Sequence, residues 1–78
     1  MKKSIGFDVS KANIDVAVFD GQNYQYLKTE NSRNGFEHIV NTFELSPDPE
    51  ISITMEATGT YHRKAADYFC SNGYTVHV

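Results

Sequence analysis

Ile5, Phe7 and Val9 alternate with Gly6, Asp8 and Ser10, the period-two pattern of a strand with one buried face. This predicts a first strand over residues 4–10. A second, more apolar strand (Ile-Asp-Val-Ala-Val-Phe) follows at 14–19, and the polar link Ser10-Lys11-Ala12-Asn13 is short enough to make the pair an antiparallel hairpin. Asp20-Gly21-Gln22-Asn23 is a turn with Asp-Gly as its strong local signal, and a third strand over 24–29 completes a meander. The period then changes. Phe36, Ile39, Val40 and Phe43 fall at i, i+3, i+4 and i+7, an amphipathic helix of about three turns that Asn31 or Ser32 caps. Pro47 and Pro49 forbid its continuation. Alternation returns at 51–56, with Ile51, Ile53 and Met55 against Ser52, Thr54 and Glu56. Thr58-Gly59-Thr60 breaks this strand, and Thr60 caps a second helix over 61–72, with Ala65, Tyr68 and Phe69 inward and Gly73 as its stop. A fifth strand begins at Tyr74 and is still running at Val78, which predicts an α/β domain truncated at its C-terminus.

The element order is β-β-β-α-β-α-β, a mixed sheet whose right-handed crossovers set the fourth strand parallel to the first. A chain of 78 residues buries only about 60–65% of its unfolded surface, so its core is marginal and help from elsewhere is expected. No segment reaches the roughly 20 apolar residues of a membrane span, and the basic start runs straight into Asp8, which a secretory signal would not tolerate. A cytoplasmic location follows as the expectation. Cys70 is the only cysteine. It has neither a disulfide partner nor metal-ligand spacing, and reads as a small core filler on the second helix. The net charge of −3 counts against a generic DNA-coating module, because phosphate contacts require Lys and Arg. An acidic metal site, with the basic surface supplied elsewhere, would reconcile that charge with DNA.

Asp8 and Glu56 taken alone are as readily solvated surface groups as ligands. Their surroundings change the picture. Ile5-Gly6-Phe7-Asp8-Val9-Ser10-Lys11 with Ile14-Asp15-Val16-Ala17-Val18 resembles the opening of the insertion-sequence "one-ten" family of transposases and the related Piv-type DNA invertases. Met55-Glu56-Ala57-Thr58-Gly59-Thr60-Tyr61 resembles that family's second motif, and Gly73-Tyr74-Thr75-Val76-His77-Val78 the strand that precedes its next segment. The resemblance spans essentially the whole chain. It implies a ribonuclease-H-like (RuvC-like) sheet in the order 3-2-1-4-5, so that strands one and four are neighbours. It also implies a DEDD catalytic tetrad in which Asp8 matches the first Asp and Glu56 the Glu.

Two adjacent carboxylates without a neighbouring cation repel each other and invite Mg²⁺ or Mn²⁺, whose hard-oxygen preference and retained waters suit such a pair. Two ions about 3.5–4 Å apart activate water on one side of a phosphodiester and stabilise the leaving oxygen on the other. On this resemblance the remaining two aspartates lie beyond Val78, the 78 residues are the N-terminal part of one catalytic domain, and the fragment alone is inactive. The implied reaction is DNA strand cleavage and transfer in transposition or inversion, by a homo-oligomer (dimer or tetramer) on the bacterial or archaeal nucleoid. Some members of the family are guided by an element-encoded RNA, and a separate C-terminal domain carries a Ser important for recombination.

Other residues carry two readings each. Ser10 and Lys11, just past Asp8, contact phosphate or simply form the hairpin turn. Thr58, Gly59 and Thr60 offer backbone amides at a helix start to an anion, or only cap that helix. Arg63 and Lys64, with Tyr61 and His62, hold phosphate or form a solvated helix face. His62 as a general base is not required by two-metal chemistry. Asp15 reads as a solvated neighbour of the site; His38 and His77 read as structural; Tyr24, Tyr26, Tyr68 and Tyr74 read as half-buried packing. An actin-like kinase or ATPase shares the strand order and the early Asp, but its phosphate cradle needs a glycine-rich hairpin where this chain has Ser-Lys-Ala-Asn. A non-catalytic module dimerising through an exposed sheet edge is the second alternative.

Overall fold

The computed structural model describes residues 3–57 and 59–78. The N-terminal alternation becomes β1 (Lys3–Val9), and β2 (Asn13–Phe19) and β3 (Tyr24–Glu30) complete the meander. Then come α1 (Arg33–Thr42), β4 (Ile51–Ala57), α2 (Arg63–Ser71) and β5 (Thr75–His77). The five strands form one sheet in the order β3-β2-β1-β4-β5. β1 and β2 are antiparallel, as are β2 and β3, whereas β4 runs parallel to β1 and β5 parallel to β4. The order and sense of the strands are those the sequence led us to expect.

Alternation sends one set of strand residues into a single core. Ile5, Phe7 and Val9 of β1, Ile14, Val16 and Val18 of β2, and Ile51, Ile53 and Met55 of β4 are all buried, packed with Phe36 and Ile39 of α1 and Ala65 and Phe69 of α2. Phe69 is fully buried and makes edge-on contacts with Phe7 (5.2 Å between centroids), Tyr68 (5.0 Å) and Tyr74 (5.4 Å), the geometry that aromatic quadrupoles favour. The opposite set of strand residues, including Gly6, Asp8, Asp15, Thr54 and Glu56, is exposed.

The turns and helix ends follow from local hydrogen bonding. In the β1–β2 link the Ser10 amide and hydroxyl both donate to the Asn13 carbonyl, at 2.9 and 3.0 Å. In the β2–β3 turn the Asp20 carboxylate accepts from the Asn23 and Gln22 amides (2.8 and 2.9 Å), which hold its carboxyl below the ordinary aspartate value. Of the two cap candidates for α1, Ser32 is the cap, its Oγ accepting from the Gly35 amide at 3.3 Å. α1 ends in a Schellman motif: the Leu45 amide donates to the Val40 carbonyl and the Glu44 amide to the Asn41 carbonyl, with Glu44 left-handed at φ 51°. α2 ends in the same way, through Tyr74 to Phe69 and Gly73 to Cys70, with Gly73 at φ 89°.

Three expectations need correction. α2 starts at Arg63 and not at 61, with His62 at the N-cap position and no side-chain cap bond. Gly59 takes a left-handed conformation (φ 65°) and residues 59–62 are spent on a turn, closed by the Arg63 amide donating to the Thr60 carbonyl at 3.2 Å. Thr60 therefore acts through its backbone, and α2 has no side-chain cap bond among the described residues. Cys70 is exposed, because it follows Phe69 by about 100° around the helix and Phe69 takes the core position. Tyr24 and Tyr26 are 60% and 75% exposed, since they lie on the uncovered face of the edge strand β3; Tyr74 is buried and Tyr68 partly so, as expected.

Candidate active site

The registers of the three central strands assemble an acidic row. Asp8 is opposite Glu56 in the parallel β1–β4 pair and opposite Asp15 in the antiparallel β1–β2 pair, and Asp15 is in turn opposite Lys28. Burial of Phe7, Val9, Val16 and Met55 on the core side obliges Asp8, Asp15 and Glu56 to project from the other face, where all three are exposed. Adjacent strands lie about 4.8 Å apart, so the three carboxylates are crowded in a line across the sheet. Among the described residues none of them is ion-paired; the ion pair of that set is Arg33 with Glu37 on α1, at 3.5 Å.

Beside this row the sheet surface is low. Gly6 is in register with Ala17 on one side and Thr54 on the other, and the space above Gly6 is open. With Tyr26 these small residues and the three carboxylates line a shallow depression of about 440 Å³. The donor set is of hard anionic oxygens on rigid, paired strands, which suits Mg²⁺ or Mn²⁺ and leaves coordination positions for water and a phosphate. Among the described residues no three His, Cys, Asp or Glu side chains converge on one point, so the pair Asp8 and Glu56 fits as part of a metal site rather than as a whole one.

The other candidates are distributed around the same end of the sheet. Ser10 and Lys11 occupy the exposed hairpin that leaves β1 just past Asp8, with the Ser10 hydroxyl engaged in the turn. Gly59 and Thr60 are exposed in the turn that leaves β4, before the helix, so their amides do not form a helix N-terminus. Thr58 lies outside the described residues. Arg63 and Lys64 are exposed in the first turn of α2, and Tyr61 is 42% exposed. His62 is half-buried, its Nδ1 without a partner among the described residues. His38 and His77, read as structural, are both exposed; His38 is on the polar side of α1 and His77 on the short edge strand β5.

Sequence reasoning missed Asn31. It is not a cap: its Nδ2 donates to the carbonyls of Ser10 and Tyr61, each at 3.0 Å, and its backbone amide donates to the Ala12 carbonyl at 2.9 Å. Only the position of Asn31 just before a helix was visible in the sequence, and that signal pointed to capping.

A five-stranded mixed sheet in the order 3-2-1-4-5, with two crossover helices on one face and carboxylates on the neighbouring central strands, defines a protein of the ribonuclease-H-like class. The model of the DEDD transposases of the insertion-sequence one-ten type, described as "Transposase", matches residues 5–78, and the chain belongs to that family. No curated protein matches it. Membership identifies a transposase, with DNA as the partner, in preference to the actin-like kinase alternative. No helix among the described residues is long and apolar enough to cross a membrane.

Proposed function

We propose that this chain is the N-terminal part of a single ribonuclease-H-like catalytic domain, and that Asp8 and Glu56 are metal-binding carboxylates for DNA strand cleavage and transfer. The observation that carries the reading is the β1–β4 register, which sets Asp8 directly opposite Glu56 on the exposed face. Mg²⁺ or Mn²⁺ bound there would supply activation of the attacking oxygen and stabilisation of the leaving one. The chain's own contribution is to hold two charged oxygens side by side on strands fixed by a continuous ladder, with no ion pair competing for them among the described residues. The depression floored by Gly6, Ala17 and Thr54 leaves room for a phosphodiester beside the pair. Ser10 and Lys11 on one side, and Thr58, Gly59, Thr60, Arg63 and Lys64 on the other, are the proposed phosphate contacts. Asp15 stands on the far side of Asp8 from Glu56 and next to Lys28, the position of a solvated neighbour. The remaining two carboxylates of the tetrad are assigned to segments other than these 78 residues. Transposition or inversion of an insertion element by a homo-oligomer, with or without a guide RNA, accords with this reading.

The test is strand cleavage at element ends by the full-length protein in Mg²⁺ or Mn²⁺. Asp8→Asn and Glu56→Gln should each abolish cleavage while DNA-end binding persists. Cleavage at the parental rate by either variant would remove that residue from the site.

A further inference from the structure

Asn31 spans the exits of the two strands that carry the acidic pair. Ser10, whose carbonyl accepts one of its amide hydrogens, follows β1 two residues after Asp8; Tyr61, whose carbonyl accepts the other, lies in the turn between β4 and α2, five residues after Glu56. The backbone amide of Asn31 holds the same β1–β2 hairpin at Ala12. The side chain is thus fixed from behind and reaches forward to the exit of β1 and to the turn ahead of α2. The chemistry of the tie is restrictive. A primary amide nitrogen can serve two carbonyl acceptors at once, whereas a carboxylate only accepts and a hydroxyl donates a single hydrogen. Rotating the amide by half a turn would put Oδ1 against two carbonyl oxygens, so its orientation is set; Oδ1 has no partner among the described residues.

The β1–β4 ladder runs through Val9 and Ala57. Among the described residues no backbone pairing past that point keeps the two strand ends from splaying, and Asp8 and Glu56 lie within one residue of it, with mutual repulsion favouring separation. We propose that Asn31 is a positioning residue of the site: by tying the Ser10 and Tyr61 carbonyls together it sets the spacing of the strand ends that present Asp8 and Glu56. The inference rests on the reading of these two residues as metal ligands. A group that orients ligands without touching the metal typically changes metal affinity or activity by about 10–100-fold when removed.

The experiment is cleavage of element ends by the full-length protein as a function of Mg²⁺ concentration, for the parent, Asn31→Asp, Asn31→Ser, Ser32→Ala and Asp8→Asn. Asn31→Asp, isosteric but with acceptors facing two carbonyls, should raise the Mg²⁺ concentration for half-maximal cleavage about tenfold or more without a matching loss of DNA-end affinity. Asn31→Ser, which keeps one donor, should shift it less in the same direction, and decides the matter if Asn31→Asp does not fold. Ser32→Ala removes the neighbouring cap and costs stability without touching the tie, so it should leave the Mg²⁺ midpoint in place. An unshifted midpoint in the Asn31 variants, or an equal shift in Ser32→Ala, overturns the inference while Asp8→Asn is inactive. Cleavage by Asp8→Asn would overturn the metal-ligand reading, and the inference with it.

Discussion

A methyl group added at Gly35 would sit 1.8 Å from the Glu30 carbonyl oxygen. The first turn of α1 rests directly on the end of β3 there, and backbone, unlike a side-chain tip, cannot swing aside. Gly35→Ala should therefore lower stability by about 1–3 kcal/mol, the range of an overpacked core, despite the better helix propensity of alanine. Urea unfolding of the two proteins checks this, and an unchanged midpoint would mean that α1 lifts off β3 at no cost. Nothing in the sequence announced the contact, because the cap reading put Gly35 in the first turn of a helix but not how closely that turn approaches the end of β3. Asn31 was hidden for the same reason: a polar residue ahead of a helix is first read as a cap, and Ser32 occupied that position. That Asp8 and Glu56 project from the exposed face was legible in the strand phase, and the flanking motifs singled them out as the candidate pair.

At the scale of elements, both helices close with the same motif but with different residues at its left-handed position, Gly73 after α2 and Glu44 after α1. A side chain in that conformation costs roughly 1–2 kcal/mol, part of which is returned by the smaller entropy loss of a non-glycine chain on folding. Glu44→Gly should accordingly raise stability by roughly 0.5–1 kcal/mol, seen as a higher thermal midpoint with α1 unchanged by circular dichroism. A fall in midpoint would show that the Glu44 side chain contributes more than its backbone costs. Gly73 was readable as a stop because the residue itself carries the signal. The motif after α1 was not, since its glutamate has none, and the two prolines further on supplied only an approximate end. The delayed start of α2 escaped because Thr60 has the composition of a cap, whereas the conformation of Gly59 spends the following residues on a turn.

For the whole molecule, the meander and crossovers could be read from periodicity, but the neighbourhood of β1 and β4 could not; the family resemblance supplied it, and the registers bear it out. Which face of β3 would be covered was also beyond the pattern, and that is where Tyr24 and Tyr26 went astray. The shared register has an energetic consequence. Like charges directly opposite each other on neighbouring strands destabilise a sheet by about 0.2–1 kcal/mol. In metal-free buffer Asp8→Asn and Glu56→Gln should each stabilise the fold by that amount, with the gain shrinking as added salt screens exposed charge. Thermal melts at low and high salt test this; destabilisation by both variants would show the pair to be structural.

The position of β4 between β1 and β5 also bears on how the chain is made. Synthesis proceeds from the N-terminus at about 5–20 residues per second, so β1, β2 and β3 can pair before Ile51 has left the ribosome. For that interval β1 is an edge, with open amides and carbonyls beside Ile5, Phe7 and Val9, the kind of surface that recruits other nascent strands. Edges are kept apart by charge, and on β1 the open face carries it at Asp8. The carboxylate proposed to hold metal in the finished enzyme would thus serve first as the guard of an unfinished sheet.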